Sequence, residues 1–151
     1  MGKDCKGLKI SSPKGDSGDT HIGSEGKKVE AIRIDDLTSK YGQPKIVKID
    51  IQGFEADALI GAENTIKNGD VHFLIEFSPK LLHRSSEHIF DALEILEYQK
   101  YGVFFFRAHP FYAAEPLSYE ILKSIYNFWH KYSVGSLELL FRQRPQLGNF
   151  S

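Results

Sequence analysis

Asp50, Gln52, Glu55 and Glu76 are the residues of this chain whose types and spacing can do chemistry. Asp50 sits near the end of the run KIVKIDI, Lys45–Ile51, and Gln52 follows it. Glu55 comes two positions after Gly53, and Glu76 nearly closes the run VHFLIEF, Val71–Phe77. A carboxylate in such a place can orient a hydroxyl or an amine and take its proton. By strand alternation Lys48, Asp50 and Gln52 share one face. Gly53 permits a sharp turn, which puts Glu55 in the first turn of a following helix. With the two runs as neighbouring strands, Glu76 comes near Asp50. A structural reading fits the same residues: Glu55 complements a helix dipole, and Asp50 pairs with a Lys48 that is otherwise buried alone. Residue types alone leave both readings open.

The elements that must position these side chains follow from periodicity. Gly2–Lys28, rich in Gly, Ser, Lys and Asp, reads as loop with a short strand at Gly7–Ser11. Val29, Ala31, Ile32 and Ile34 suggest a strand, and Asp35–Asp36 opens a helical turn over Leu37–Tyr41. Lys45–Ile51 is β-branched and apolar, as expected of a strand covered on both faces of a parallel sheet. A helix from Phe54 carries Phe54, Ala58, Ala62 and Ile66 on one face, widened by Leu59, and Asn68–Gly69 stops it. Val71–Phe77 is the next strand. A helix over Glu87–Tyr98 turns Ile89, Leu93 and Leu96 inward, and Gly102 ends that stretch. Val103–Arg107 is a strand, and His109–Leu117 an aromatic, proline-flanked loop suited to a substrate lid or to packing on the sheet. Ser118 caps a helix to about Tyr132 with Ile121, Ile125, Phe128 and Tyr132 inward. Leu137–Arg142 is the last strand. Strands alternating with helices make the fold class α/β, built from crossover units on a parallel sheet. In such sheets ligands bind outside the carboxyl ends of the strands, where Asp50, Gln52, Glu55 and Glu76 lie.

Composition narrows the classes of function. With 151 residues, 41% of them hydrophobic, the chain can bury one core. Its 19 basic and 20 acidic residues give a net charge of -1, no footprint for nucleic acid or an anionic membrane. A lone Cys5 excludes an internal disulfide framework and suits a reducing compartment, and no apolar run approaches the ~20 residues of a membrane span. The expected location is cytoplasmic. The six histidines show no metal-ligand spacing with that cysteine, and no nucleophile elbow or phosphate loop is present. Asp50 and Glu76 as magnesium ligands would want such a loop.

The runs VEAIRIDDL (Val29–Leu37), IVKIDIQGFEADALIGA (Ile46–Ala62) and VHFLIEFSP (Val71–Pro79) together resemble the FkbM-type methyltransferases. Those enzymes typically show an "LDDL"-like segment, then "KIDVEGxExxVLxGA", then an "lvEf" strand. The likeness is close from Val29 to Pro79 and holds only in element order up to Phe141. It implies S-adenosylmethionine as cofactor and methyl transfer to an oxygen or nitrogen of a small-molecule acceptor. Catalytic roles then fall to Asp50, Glu55 and Glu76, and cofactor contacts to Asp50, Gln52 and Gly53. Gln52 stands where the family's Glu is usual, which keeps hydrogen bonding but drops the charge; Ile34 stands where Leu is usual.

The resemblance makes Lys45–Ile51 the fourth strand of a class I methyltransferase sheet, so the chain reads as the C-terminal half of that Rossmann-like sheet, parallel strands with a final antiparallel one. The first strand and its glycine-rich turn, which hold most of the cofactor, have no counterpart upstream: Gly15, Gly18, Gly23 and Gly26 sit in polar sequence. The expected organisation is an irregular segment over 1–28, a truncated methyltransferase domain over 29–143 and a tail over 144–151. Lys45–Ile51 then becomes a sheet edge, open to self-association. The alternative function is a non-catalytic remnant that pairs through that edge.

Overall fold

The computed structural model describes residues 6–11, 21–23, 26–51, 53–78, 88–105, 116–132 and 136–143. Cys5, Gln52, His83, the loop residues 109–115 and the tail 144–151 lie outside them.

The N-terminal segment holds more strand than its polar composition suggests. β1 (Lys6–Ser11) is flanked by β2 (His21–Gly23) and β3 (Lys27–Glu30), both antiparallel to it, in the order β2-β1-β3. The register sets Ile10 opposite Ile22 and Leu8 opposite Val29. The loop reading of Gly2–Lys28 is corrected at β2 and at the start of β3. β3 stops at Glu30, and Ile34 opens α1 (Ile34–Tyr41) instead of extending the strand.

The second sheet carries the site. β4 (Ile46–Ile49) runs parallel to β5 (His72–Phe77), with Ile49 beside Ile75. β7 (Leu137–Gln143) lies antiparallel between β5 and β6 (Tyr101–Phe105), giving the order β4-β5-β7-β6. β4, β5 and β6 therefore share one direction, and the last strand opposes them. This mixed sheet, with its last strand antiparallel to the other three, is the one that the resemblance implied.

Between β4 and β5 the expected single helix is broken in two, α2 (Glu55–Ile60) and α3 (Glu63–Lys67). The break at Gly61–Ala62 has a visible cause. The Asp35 N–H of α1 donates to the Gly61 carbonyl at 3.0 Å. The Asp35 carboxylate then accepts from the backbone N–H groups of Asn64 and Thr65, at 3.2 and 2.9 Å, and from the Thr65 hydroxyl. Those amides are orphaned by the start of a new helix, and a side chain thirty residues away caps them. Gly69, with φ of 66°, ends α3 in the left-handed region, as the Asn68–Gly69 stop implied.

Helix α4 (Ile89–Tyr98) buries Ile89, Leu93 and Leu96 as expected, and Lys100 rather than Gly102 takes the positive φ that turns the chain into β6. α5 (Tyr119–Tyr132) is rotated from its expected face. Tyr119, Leu122 and Tyr126 are buried, while Ile121, Phe128 and Tyr132 are each more than half exposed. Two apolar stripes compete along this helix. The buried one wins because Tyr119 donates its hydroxyl to the Tyr101 carbonyl and Tyr126 meets Phe77 and Phe90 edge-on. Ser118 does cap α5, accepting the Ile121 N–H at 3.2 Å.

The core lies on one face of the four-stranded sheet. Phe73, Ile75, Phe77, Leu139, Phe141 and Val103 are buried there against Leu59, Ile66, Leu93 and Leu96. Along β5 burial alternates strictly, with His72, Leu74 and Glu76 only half-buried on the other face. β4 departs from the expectation of a strand covered on both faces: Ile46 is 65% exposed, and β4 is the outermost strand.

Candidate active site

At the carboxyl ends of β4 and β5 the parallel register carries Asp50 alongside Glu76. The two carboxyl groups are close enough to shift each other's titration. Lys48, two residues back on the same face, reaches Asp50 at 3.0 Å. That ion pair, with Glu76 as a second partner, holds Asp50 below the usual carboxylate range. Glu76 is pushed the other way, first by Asp50 and then by burial, with Ser136 opposing the shift. The two carboxyls are thus shifted in opposite directions, as expected when two carboxyls share a small volume.

Glu55 plays a different part. It is 2% exposed, and both its oxygens accept from the Gly53 N–H, at 3.1 and 3.0 Å; one also accepts from Ile51 at 3.3 Å. Burial pushes its carboxyl up, while these amides pull it back. Gly53, at φ of 107°, supplies the turn that aims its own N–H into this carboxylate. Glu55 is thus a staple across the turn between β4 and α2.

The structure therefore brings Asp50 and Glu76 together, sets Glu55 behind them under the turn, and places Gly53 within that turn. Lys48 pairs with Asp50 as the structural reading held. Two further groups lie beside them, in β7 and just before it. Glu138 lies opposite Glu76 in the antiparallel register, and Ser136 draws the Glu76 titration down. Neither could be found from the sequence, because LELLFR shows alternation but not which strand it will pair with. Two clefts are described elsewhere. One of about 270 Å³ between α1 and α3 is lined by Asp35, Thr38, Gln43 and Thr65, whose polar groups already satisfy one another. The other, of about 770 Å³, is lined by Glu63, Asp91, Glu94 and Glu97 on exposed helix surface. Among the described residues no group of three or more His, Cys, Asp or Glu is placed to hold a metal ion. No described helix is long and apolar enough to cross a membrane.

The profile of the Methyltransferase FkbM domain matches residues 2–103. The chain belongs to the FkbM methyltransferase family. The matched span takes in the N-terminal strands, the acid pair and the first residues of β6, leaving α5 and β7 beyond it. Comparison with curated proteins and with solved structures yields no match. Within the FkbM domain, then, the acid pair occupies the position where open α/β sheets bind their ligands.

Proposed function

We propose that this chain acts in methyl transfer from S-adenosylmethionine to an oxygen or nitrogen of a small-molecule acceptor. The observation that carries the reading is the pair of carboxyls, Asp50 and Glu76, set side by side at the carboxyl ends of two parallel strands. An acceptor hydroxyl or amine must shed a proton as it becomes a nucleophile, and a carboxylate within reach of it can take that proton. S-adenosylmethionine, when bound, supplies an electrophilic methyl group. The chain's own residues supply the rest. Asp50, kept ionised by Lys48, accepts the acceptor's hydrogen bond and its proton; Glu76 faces the acceptor side. Asp50, Gln52 and Gly53 meet the cofactor, and Glu55 acts by holding the Ile51 and Gly53 amides. Orientation of this kind accounts for much of the barrier lowering in a displacement reaction.

The carboxylates fit the polar end of such a cofactor, since they accept from hydroxyls and amines. They furnish one wall of a pocket. Among the described residues β4 is the outer strand, so the described crevice has a single wall there. Titration calorimetry with S-adenosylmethionine tests the proposal. Saturable heat that Asp50→Ala abolishes is expected; no heat from the folded protein overturns it.

One observation favours a second reading, an interaction module that pairs through its sheet edge. Ile46 is exposed on an outermost strand with no neighbour on its far side among the described residues. Such an edge is a template for another strand.

A further inference from the structure

The carboxyl end of the sheet is more acidic than the pair of Asp50 and Glu76 alone. β7 runs between β5 and β6 and is hydrogen-bonded to both. β6 is held in turn on its outer side, where the Leu117 N–H donates to the Val103 carbonyl at 2.7 Å in an isolated bridge. Glu138 therefore stands on an interior strand, with Glu76 directly opposite it. Residues directly opposite share a face of the sheet, and on that face Glu138 is exposed. Asp50, Glu76 and Glu138 thus make a row across three strands, with about 4.8 Å from each strand to the next.

Like charges set opposite one another destabilise a sheet. One cation offsets the row: Lys48, bonded to Asp50 at 3.0 Å. Its ammonium is held above the ordinary lysine value by Asp50 first, and further by Glu138 and Glu76, so all three carboxyls act on one space. Arg142 stands at the other end of β7, over the Phe104 ring. An anionic acceptor brought to this row is repelled, and a neutral hydroxyl leaves the opposition of Glu76 and Glu138 as it was. An ammonium group gains charge-assisted hydrogen bonds and relieves that opposition.

The chemistry asks for the same charge. An ammonium that passes one proton to Asp50 becomes an amine with a free electron pair. That nitrogen bonds the methyl carbon as the carbon–sulfur bond breaks and its pair stays on sulfur, and the nitrogen is a cation once more. Fixed carboxylates placed where positive charge develops favour such a step.

We infer that the methyl acceptor is an aliphatic amine, bound as its ammonium ion, and that Glu138 is a residue that selects it. The inference rests on the methyl-transfer reading and narrows its acceptor from oxygen or nitrogen to nitrogen. Glu138 lies beyond the span that the FkbM profile matches, so the family match does not supply this choice.

Nuclear magnetic resonance titration of the isotope-labelled protein with n-butylamine, n-butanol and butyrate tests it without the cofactor. Salt at about 0.15 M confines the readout to close charges. The Asp50, Glu76 and Glu138 amides should shift saturably with n-butylamine, about tenfold tighter than with n-butanol, and stay unmoved by butyrate. Glu138→Gln keeps the side chain's shape; it should weaken n-butylamine by about fivefold to tenfold and leave n-butanol unchanged. Glu138→Lys should abolish the amine's binding. Circular dichroism melts establish that each variant is folded. Equal affinity for amine and alcohol overturns the inference, as does an amine affinity indifferent to Glu138→Gln. The calorimetry with S-adenosylmethionine separates the two claims. Cofactor heat without an amine preference leaves methyl transfer standing and removes the amine acceptor. An amine preference without cofactor heat removes methyl transfer, and with it the amine's role as acceptor, leaving only ammonium recognition by Glu138.

Discussion

The two faces of the four-stranded sheet are made by the same strands and do opposite work. On one, Phe73, Ile75 and Phe77 of β5 are sealed beneath helices with Leu139 and Phe141 of β7. On the other, the intervening residues Leu74 and Glu76 are half-buried beside Lys48, Asp50, Glu138 and Arg142. Because side chains alternate, moving one residue along β5 passes from core to chemistry. Stability is built on the covered face, which frees the other to hold two carboxyls in an arrangement that repulsion would otherwise forbid.

That contrast can be broken most severely at Phe73. Phe73→Ala should cost about 3–5 kcal/mol by urea denaturation, through lost burial and the cavity left behind. Its neighbour on the other face, Leu74→Ala, should cost about 1 kcal/mol, because no sealed void remains. Equal losses would mean that both faces are sealed. Next in size is Asp35→Ala, which leaves the Asn64 and Thr65 amides without their acceptor; about 1–3 kcal/mol should be lost. A loss well under that range would show that water caps α3 equally well.

A smaller effect is written in the pH dependence. Asp50 titrates below its unfolded value, so its contribution is present above that value and is lost as pH falls through the folded one. Glu76 and Glu55 titrate above theirs, so their contributions are present at low pH and are lost as pH rises through the folded values. The melting temperature should therefore peak at weakly acidic pH, near about 4–5 where unperturbed carboxyls titrate. Glu76→Gln should flatten the limb above the peak, and Asp50→Asn the limb below it. An unchanged profile in both variants would dissolve the acid pair. The smallest effect belongs to α5: Phe128→Ser should change stability by no more than about 0.5 kcal/mol, since Phe128 is 57% exposed.

Much of this was legible from residue order, and the limits have physical causes. β5 could be read because its alternation of apolar and polar residues has only one solution in a half-covered strand. The meeting of Asp50 with Glu76 followed from strand adjacency, since a parallel register matches carboxyl end to carboxyl end. α5 was misread because Ile121, Ile125, Phe128 and Tyr132 make as good a stripe as Tyr119, Leu122 and Tyr126. Only contacts with Tyr101, Phe77 and Phe90 choose between them. The capping role of Asp35 was invisible for a similar reason, its partners lying about thirty residues downstream. Glu55 looked like a base by residue type, and the amides of Ile51 and Gly53 assign its oxygens to the turn.

The bridge between Leu117 and Val103 bears on how far assembly could run. A sheet with two open edges adds neighbours at both ends and grows into a fibre. Here the Leu117 bridge lies on the outer side of Val103, so a strand that joined the four-stranded sheet at β6 would first have to displace it.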